Sequence, residues 1–236
     1  MSETDVLQRV RSRGYWRIVA RPTTYRERLT SPAECERIVA QSAVRLRGWE
    51  YPAVLNGSPH VRRKNFADGY GQELDFGNDI EVWKMSLSGQ FVHNLALLED
   101  WFPEVVREGP LREVEPMTRF SFVDAIYTAT EIFEFLARVA RSGLYEEALE
   151  VTVELHGLKG RVVWLHGKGR LPIVHEYRTS ADEFTWNRTV NIAELLERPR
   201  ELSAMLLVRI FAIFGWDISV DRLTSEVEDV ISGRYA

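Results

Sequence analysis

One histidine and two carboxylates in this 236-residue chain are placed where they could perform acid–base chemistry. His93 lies in the apolar stretch SGQFVHNLALLEDW (88–101), and Asp124 and Glu131 lie seven positions apart in a later apolar stretch. On an α-helix this spacing places both carboxylates on one face. If that face packs against the strand of His93, Glu131 could orient the imidazole and form a histidine–carboxylate pair in a cleft.

These groups also have a purely structural explanation. His93 shares its strand face with large apolar residues, and a histidine in that position usually packs in the core and makes a hydrogen bond. The helical carboxylates are equally typical of a solvated stripe, in which Glu134 pairs with Arg138 four positions later. We therefore predict no catalytic residue and keep His93, Glu131 and Asp124 only as candidates for an alternative.

The first third of the chain carries most of the positive charge. Residues 1–64 hold 13 Lys and Arg against 6 Asp and Glu, the remainder holds 17 against 29, and the net charge is −5. Such an asymmetry indicates a basic face on an acidic body. Because phosphates favour arginine and exposed bases favour aromatic rings, the pattern predicts a site for nucleic acid or a protein partner. Its predicted members are Arg45, Arg47, Trp49, Arg62, Arg63 and Lys64. The alternative is that arginines of this third pair with the acidic C-terminal half.

Motifs for other chemistry are absent from the sequence. There is no GxxxxGK[ST], no GxGxxG that follows a strand, and no pair of histidines at HxxxH or HExxH spacing. The Gly-rich basic segment HGKGR (166–170) could approach a phosphate, but it is more typical of an ordinary β-turn. We therefore expect no cofactor and no metal.

The composition limits the compartment and the partners. The one cysteine, Cys35, allows no internal disulfide, and its place on an apolar helix stripe favours packing. No apolar run reaches the roughly 18 residues of a membrane span, and the N-terminus lacks the apolar region of a secretory signal. We expect a cytoplasmic protein with no membrane partner.

Periodicity and turn signals predict the elements that position these residues. Helices are expected over 4–12, 31–46, 118–142, 191–216 and 219–232, and strands over 15–21, 149–156, 161–167, 172–178 and 183–190. The strands 149–156 and 161–167 should form a hairpin. A second hairpin over 80–98, with the loop Ser88–Gln90, should pair Met85 with His93. The segment 56–79 is rich in Gly, Asn and Asp and predicts a long loop.

This order of elements is typical of an α+β fold, with hairpins packed on a long central helix and helical segments at both ends. We predict a single domain over 1–236, which could divide into sub-lobes 1–143 and 144–236.

Four segments carry a family resemblance: GYWRIVARPTTY, SAVRLRGWEYP, WKMSLSGQFVHNLALLEDW and IYTATEIFEF. They resemble a bacterial family in which a similar region follows a schlafen-type AlbA domain, a module associated with ATP or nucleic-acid binding. The resemblance covers most of residues 14–140. Only about 13 residues precede Gly14, so no nucleotide or nuclease chemistry of that module carries over. The resemblance implies an accessory, sensing or partner-binding role.

The sequence as a whole favours a non-enzymatic binding or accessory module that uses its basic, aromatic-rich N-terminal third. One alternative is a hydrolase-type enzyme with a cleft around His93 and the helix face of Asp124 and Glu131. Another is a structural or assembly subunit, which an exposed apolar patch on residues 192–216 would mark.

Overall fold

The computed structural model of the protein describes residues 5–55, 57–105, 114–165 and 175–234. Its strands are β1 (Tyr15–Pro22), β2 (Val61–Phe66), β3 (Gly69–Asp75), β4 (Ile80–Ser86), β5 (Phe91–Ala96), β6 (Arg119–Ser121), β7 (Ala148–His156), β8 (Val162–Trp164) and β9 (Phe184–Asn191). Its helices are α1 (Val6–Arg11), α2 (Pro32–Ser42), α3 (Phe102–Val105), α4 (Phe122–Arg141), α5 (Ile192–Glu197), α6 (Pro199–Ala212) and α7 (Val220–Ile231). A 3-10 turn, Leu98–Asp100, follows β5.

Seven of the described strands form one antiparallel sheet in the order β2-β3-β4-β5-β1-β7-β9. The strand β1 pairs with β5 on one side and with β7 on the other, so it joins the two halves of the chain. The strands β6 and β8 form a separate parallel pair. Antiparallel hairpins packed on helices confirm the predicted α+β class.

The helix α4 lies at the centre of the core. Both its aromatic residues and its small residues are buried, and the hydrophobic cluster around it extends from Trp16 to Val230. Sheet and core therefore both cross position 143, where the sequence suggested a division into sub-lobes.

Capping residues explain several of the helix ends. The side chains of Ser31 and Asn191 accept hydrogen bonds from backbone N–H groups in the first turns of their helices, as their positions in the sequence predict, and Ser219 does the same for α7. Gly143 follows α4 with a φ of 80°, a left-handed conformation that favours glycine. The helix α2 ends at Ser42, four residues earlier than predicted, because the next residues turn away into extended backbone.

The segment 56–79 is not the long loop that its composition predicted. From residue 61 onward it forms the hairpin of β2 and β3, and β3 is buried along almost its whole length. The two glycines of β3 reflect close packing and not a loop: a Cβ on Gly69 or on Gly71 would collide with the carbonyl oxygen of Met85 or of Trp83, respectively.

Two strand pairings also differ from the prediction. The strands β4 and β5 form a hairpin, but Met85 faces Phe91 instead of His93. This two-residue shift keeps the large apolar groups on one face and places Gly89, with a φ of 83°, at the last position of the loop 87–89. The strands β7 and β8 form no hairpin, because β7 lies between β1 and β9 and β8 pairs with β6.

A buried ion pair joins the elements on one side of the sheet. Arg161 donates to both carboxylate oxygens of Asp100, at 2.8 and 2.5 Å, and to the backbone oxygens of Arg119 and Gly157. Asp100 also accepts from the backbone N–H of Gly14, at 2.9 Å. The pair therefore connects the start of β1, the 3-10 turn and the loop before β8, with its hydrogen-bonding capacity well used.

We expect Arg161→Met to destabilise the protein strongly, because Asp100 would keep a buried charge without its cation. The loss in the free energy of unfolding should be about 3–5 kcal/mol, measured by urea denaturation. The matched control is Arg178→Met, which removes an exposed partner of Glu176 and should cost less than about 1 kcal/mol. Equal losses in the two variants would contradict this role of Arg161.

Candidate functional site

An open cleft of about 420 Å³ lies beside residues 43–55, the segment that follows α2. Leu55, Leu74 and Leu98 contribute apolar wall. Trp49 and Phe76 also line the cleft and are 41% and 40% exposed, which is unusual for rings of this size. The cleft therefore combines an apolar interior with accessible aromatic faces.

A narrow inner chamber adjoins the cleft and shares Trp49, Glu50, Asp79 and Leu98 with it. The chamber offers about 20 Å³, which is enough for roughly one water-sized group. Its charged lining, within the described residues, consists of one arginine and five carboxylates, and Tyr51 adds a phenol: Arg47, Glu50, Asp79, Glu81, Glu99 and Asp124 are the charged groups. The chamber is therefore rich in acidic groups.

The helix α4 holds Arg47 in place. The Arg47 guanidinium lies 2.5 Å from Oε2 of Glu131 and 3.5 Å from Oδ1 of Asp124, and it donates to Thr128 Oγ1 at 3.2 Å. The three partners lie on one helix face at successive turns. Burial opposes the charge of Arg47, but the attraction of Glu131 prevails and raises the pKa of the guanidinium. Arg47 is thus a charged residue whose guanidinium is held by side chains of α4.

Two carboxyl groups of the chamber, those of Asp79 and Glu99, have raised pKa values. Burial, with repulsion from Glu81, raises the pKa of Asp79 to about 7. Burial, with repulsion from Asp124 and Asp100, raises the pKa of Glu99 to about 8. Both values lie far above the ordinary range of carboxyl groups, and such perturbation is characteristic of functional sites.

Glu99 has an oxygen without a partner. Its Oε1 accepts from the backbone N–H of Ser121 at 2.9 Å, whereas its buried Oε2 has no hydrogen-bond partner in the described part of the chain. The whole residue is 3% exposed and lines the inner chamber. An unsatisfied buried carboxyl oxygen is costly, so this atom marks a position where a ligand donor would be favourable.

His93 is a core residue that belongs to a polar chain. It is fully buried, its Nε2 lies 2.7 Å from Oε2 of Glu81, and its Nδ1 lies 3.2 Å from the Tyr51 hydroxyl. Burial, together with repulsion from Glu131, keeps the pKa of Tyr51 well above its usual value. The Tyr51 hydroxyl can therefore donate to Nδ1 while Nε2–H donates to Glu81, which favours the structural explanation of His93.

The contact between His93 and Glu131, which the alternative interpretation required, is not formed. Glu131 is buried, not solvated, but it binds Arg47, and the carboxylate that orients His93 is Glu81. The predicted ion pair between Glu134 and Arg138 is also absent from the described contacts. Arg138 donates to the Ala43 carbonyl oxygen, and Glu134 lies 3.9 Å from Arg200.

The six residues of the predicted basic site lie in separate places. Arg45 and Trp49 line the cleft, and Arg47 lines the inner chamber. Arg62, Arg63 and Lys64 lie on β2, an edge strand. Binding of nucleic acid or a protein partner through these residues stays a prediction.

Carboxylates already pair with much of the basic third. Arg63 binds Glu36 in two hydrogen bonds, and Lys64 binds Glu73. Across the strands β1 and β7, Arg17 pairs with Glu154 at 2.6 Å, and Arg21 and Glu150 pair in the same way. Pairing with the acidic C-terminal half is what the alternative interpretation of the charge pattern predicted.

The remaining sequence candidates give no site in the described residues. Within them, no three His, Cys, Asp or Glu side chains are placed to hold a metal ion. No described helix is long and apolar enough to span a membrane.

Cys35 is buried, as its helix stripe predicts, and burial raises the pKa of its thiol to about 11. The segment 166–170 lies outside the described residues. In the region 192–216, described throughout, Met205 is the large apolar side chain that is exposed, at 39%.

The sequence reasoning missed Asp79, Glu81 and Glu99 as site residues. Asp79 was assigned to the predicted loop, and the incorrect register of the β4–β5 hairpin separated Glu81 from His93. Glu99 stands beside Asp100 in an apolar stretch, and two adjacent acids before a tryptophan were the available signal.

Comparison of the chain with protein-family models, with curated proteins and with solved structures finds no match. The resemblance to the family with schlafen-type AlbA domains therefore stays a prediction.

We expect Glu99→Gln to remove a pH dependence of stability. An unfolded glutamate has a pKa of about 4.3, and Glu99 in the folded protein has a pKa of about 8, so the folded state holds an extra proton between these values. This contribution to stability is complete at low pH and is lost, at no more than about 1.4 kcal/mol per pH unit, as the pH rises through 8. Urea unfolding at about pH 5, 7 and 9 should show that the free energy of unfolding of Glu99→Gln increases relative to that of the wild type as the pH rises.

The matched control is Glu27→Gln, which changes an exposed glutamate. Its stability relative to the wild type should be the same at each pH. A difference between Glu99→Gln and the wild type that stays constant across the series would disprove the proton held by Glu99.

Proposed function

We propose that the protein is a binding module whose ligand, a small organic molecule, occupies the cleft beside Trp49. The observation that carries this proposal is the cleft itself, with its volume of about 420 Å³, its leucine walls and its two exposed rings. Small-molecule sites of roughly 300–1,000 Å³ have this composition, with a few polar groups that fix orientation. Two members of the predicted basic site, Arg45 and Trp49, line the cleft.

The cleft suits a ligand with an apolar body. Burial of apolar surface contributes about 25 cal/mol per Å², and the leucine walls provide that surface. Trp49 offers an exposed ring to the cleft, and the Arg47 guanidinium, 5.3 Å from its centroid, helps to hold the ring in position. The polar groups needed for orientation lie at the inner end, where the cleft meets the chamber.

A neutral fluorescent probe, N-phenyl-1-naphthylamine, tests this proposal. We expect it to bind the wild type with increased fluorescence, and we expect Trp49→Ala to weaken binding by about 3- to 10-fold through the loss of a ring contact. Leu55→Trp, which fills the cleft, should abolish binding. The control Tyr25→Ala removes an aromatic ring that is 86% exposed and lies outside the cleft, so it should bind like the wild type. Equal affinity in all four proteins would refute the proposed site.

A second candidate is a hydrolase-type enzyme that works in the same cleft. The observation that favours it is the presence of two carboxyl groups with raised pKa values, about 7 for Asp79 and about 8 for Glu99. A protonated carboxyl near neutral pH can donate to a leaving group, and general acid catalysis contributes about 10²–10⁴-fold. Asp79 and Glu99 thus replace the predicted candidates His93 and Glu131 in this role.

Turnover of p-nitrophenyl esters and glycosides by the purified protein tests this candidate. If it is an enzyme, Glu99→Gln should lower kcat by about 100-fold or more while Glu27→Gln leaves it unchanged. Absence of turnover in the wild type, with the fluorescent probe bound, would leave the binding module as the function.

A further inference from the structure

We infer that the ligand of this cleft carries a primary ammonium group, which enters the inner chamber and donates a hydrogen bond to Glu99. This inference rests on the proposed function, because it names the chemical class of the ligand at the same site. Three features carry it: the charge of the chamber, its size, and its position behind an apolar cleft.

The first feature is that carboxyl groups outnumber basic groups in the described lining of the chamber. Arg47, the basic residue of the described lining, is committed to Glu131 and Asp124 on α4. Glu81 is committed to His93 and to the backbone N–H of Ala53. The Oε2 atom of Glu99 has no such partner.

An ammonium group complements this arrangement. It carries three N–H donors, one positive charge and no acceptor, so each of its polar atoms can face a carboxyl oxygen of the lining. A neutral hydroxyl would bring no charge, and a carboxylate or phosphate would be repelled by the acidic lining. Once its proton is displaced, the Glu99 carboxylate therefore pairs best with a cation.

The second feature is the size of the chamber. Its space of about 20 Å³ holds roughly one water-sized group. A primary ammonium has about the size of a water molecule, whereas a trimethylammonium is several times larger. The chamber should therefore distinguish amines by their degree of substitution.

The third feature is the position of the chamber next to the cleft. The two share Trp49 and Asp79 as lining residues, so a ligand with its charged head in the chamber would place its remaining atoms between Trp49 and the leucine walls. An organic amine with an apolar body uses both compartments, whereas a bare cation would leave the cleft unfilled.

Binding of the ammonium should release a proton from the site. Without ligand, burial and neighbouring carboxylates raise the pKa of Glu99 to about 8, and an ammonium would displace the proton. The ionisable groups that face Glu99 are Asp124 of α4, Asp100 of the same turn and Arg161 before β8. Because free protein holds more protons than the complex below about pH 8, affinity should rise with pH, by at most about tenfold per unit.

Displacement of N-phenyl-1-naphthylamine by three compounds with the same alkyl chain tests the inference. These compounds are hexylamine, hexanol and hexyltrimethylammonium. We expect hexylamine to compete at least about tenfold better than hexanol, as for a hydrogen bond to a charged group. Hexyltrimethylammonium should compete no better than hexanol. For the wild type, the advantage of hexylamine should increase between about pH 6 and pH 8.

Variants assign the effect to Glu99. Glu99→Gln keeps the size of the side chain and should remove the advantage of hexylamine while hexanol competes as before. Glu27→Gln should behave like the wild type. Equal competition by hexylamine and hexanol in the wild type would overturn the inference whether or not Glu99→Gln folds, and so would an undiminished advantage in the folded variant.

The same assay separates this inference from the proposed function. If the probe binds and Leu55→Trp abolishes its binding, the cleft is a ligand site, and the comparison of amine with alcohol decides the ammonium alone. If Leu55→Trp has no effect on the probe, the cleft is not the site and both proposals fail.

Discussion

Neutralisation of buried carboxylates by a single arginine is the constraint on which this site depends. Taking a carboxylate out of water costs several kcal/mol unless a cation and hydrogen bonds compensate. Arg47 provides that compensation for Asp124 and Glu131, because their spacing on α4 directs both towards one guanidinium. The same contacts attach the segment 43–55 to the central helix. This segment carries Trp49, so the ion cluster positions the cleft as well as the chamber.

The two adjacent acidic residues of the 3-10 turn, Glu99 and Asp100, have different surroundings and different roles. Asp100 points to Arg161, which binds both of its carboxylate oxygens. Glu99 points to the chamber and receives one backbone hydrogen bond. One residue joins structural elements, and its neighbour retains unused hydrogen-bonding capacity. The structural pair also fixes the turn, so the position of Glu99 depends on Asp100.

Elements with strong local signals could be predicted from the sequence, whereas pairings could not. The helix α4 and the strand β7 follow from apolar periodicity and a glycine stop, which act within one element. The register of β4 and β5 depends on the turn geometry, and a two-residue shift leaves the apolar pattern unchanged. The strand β3 buries polar residues that find partners elsewhere in the fold, so its composition indicated a loop.

The chamber could not be predicted from the sequence either, because its carboxylates come from four separate parts of the chain that only the fold brings together. The charge asymmetry was visible, but antiparallel pairing of β1 with β7 places arginines of one half beside glutamates of the other.

A structural role alone does not explain the carboxyl group of Glu99. Its Oε1 accepts from the Ser121 N–H, whereas its Oε2 is buried without a partner among the described residues, and a buried polar atom without a hydrogen bond is costly. The fold therefore contains a buried polar atom that no described group satisfies. Local features that oppose stability without structural compensation are expected at functional sites. A ligand cation would satisfy this oxygen and balance the acidic chamber, so the same atom that weakens the free protein would strengthen the complex.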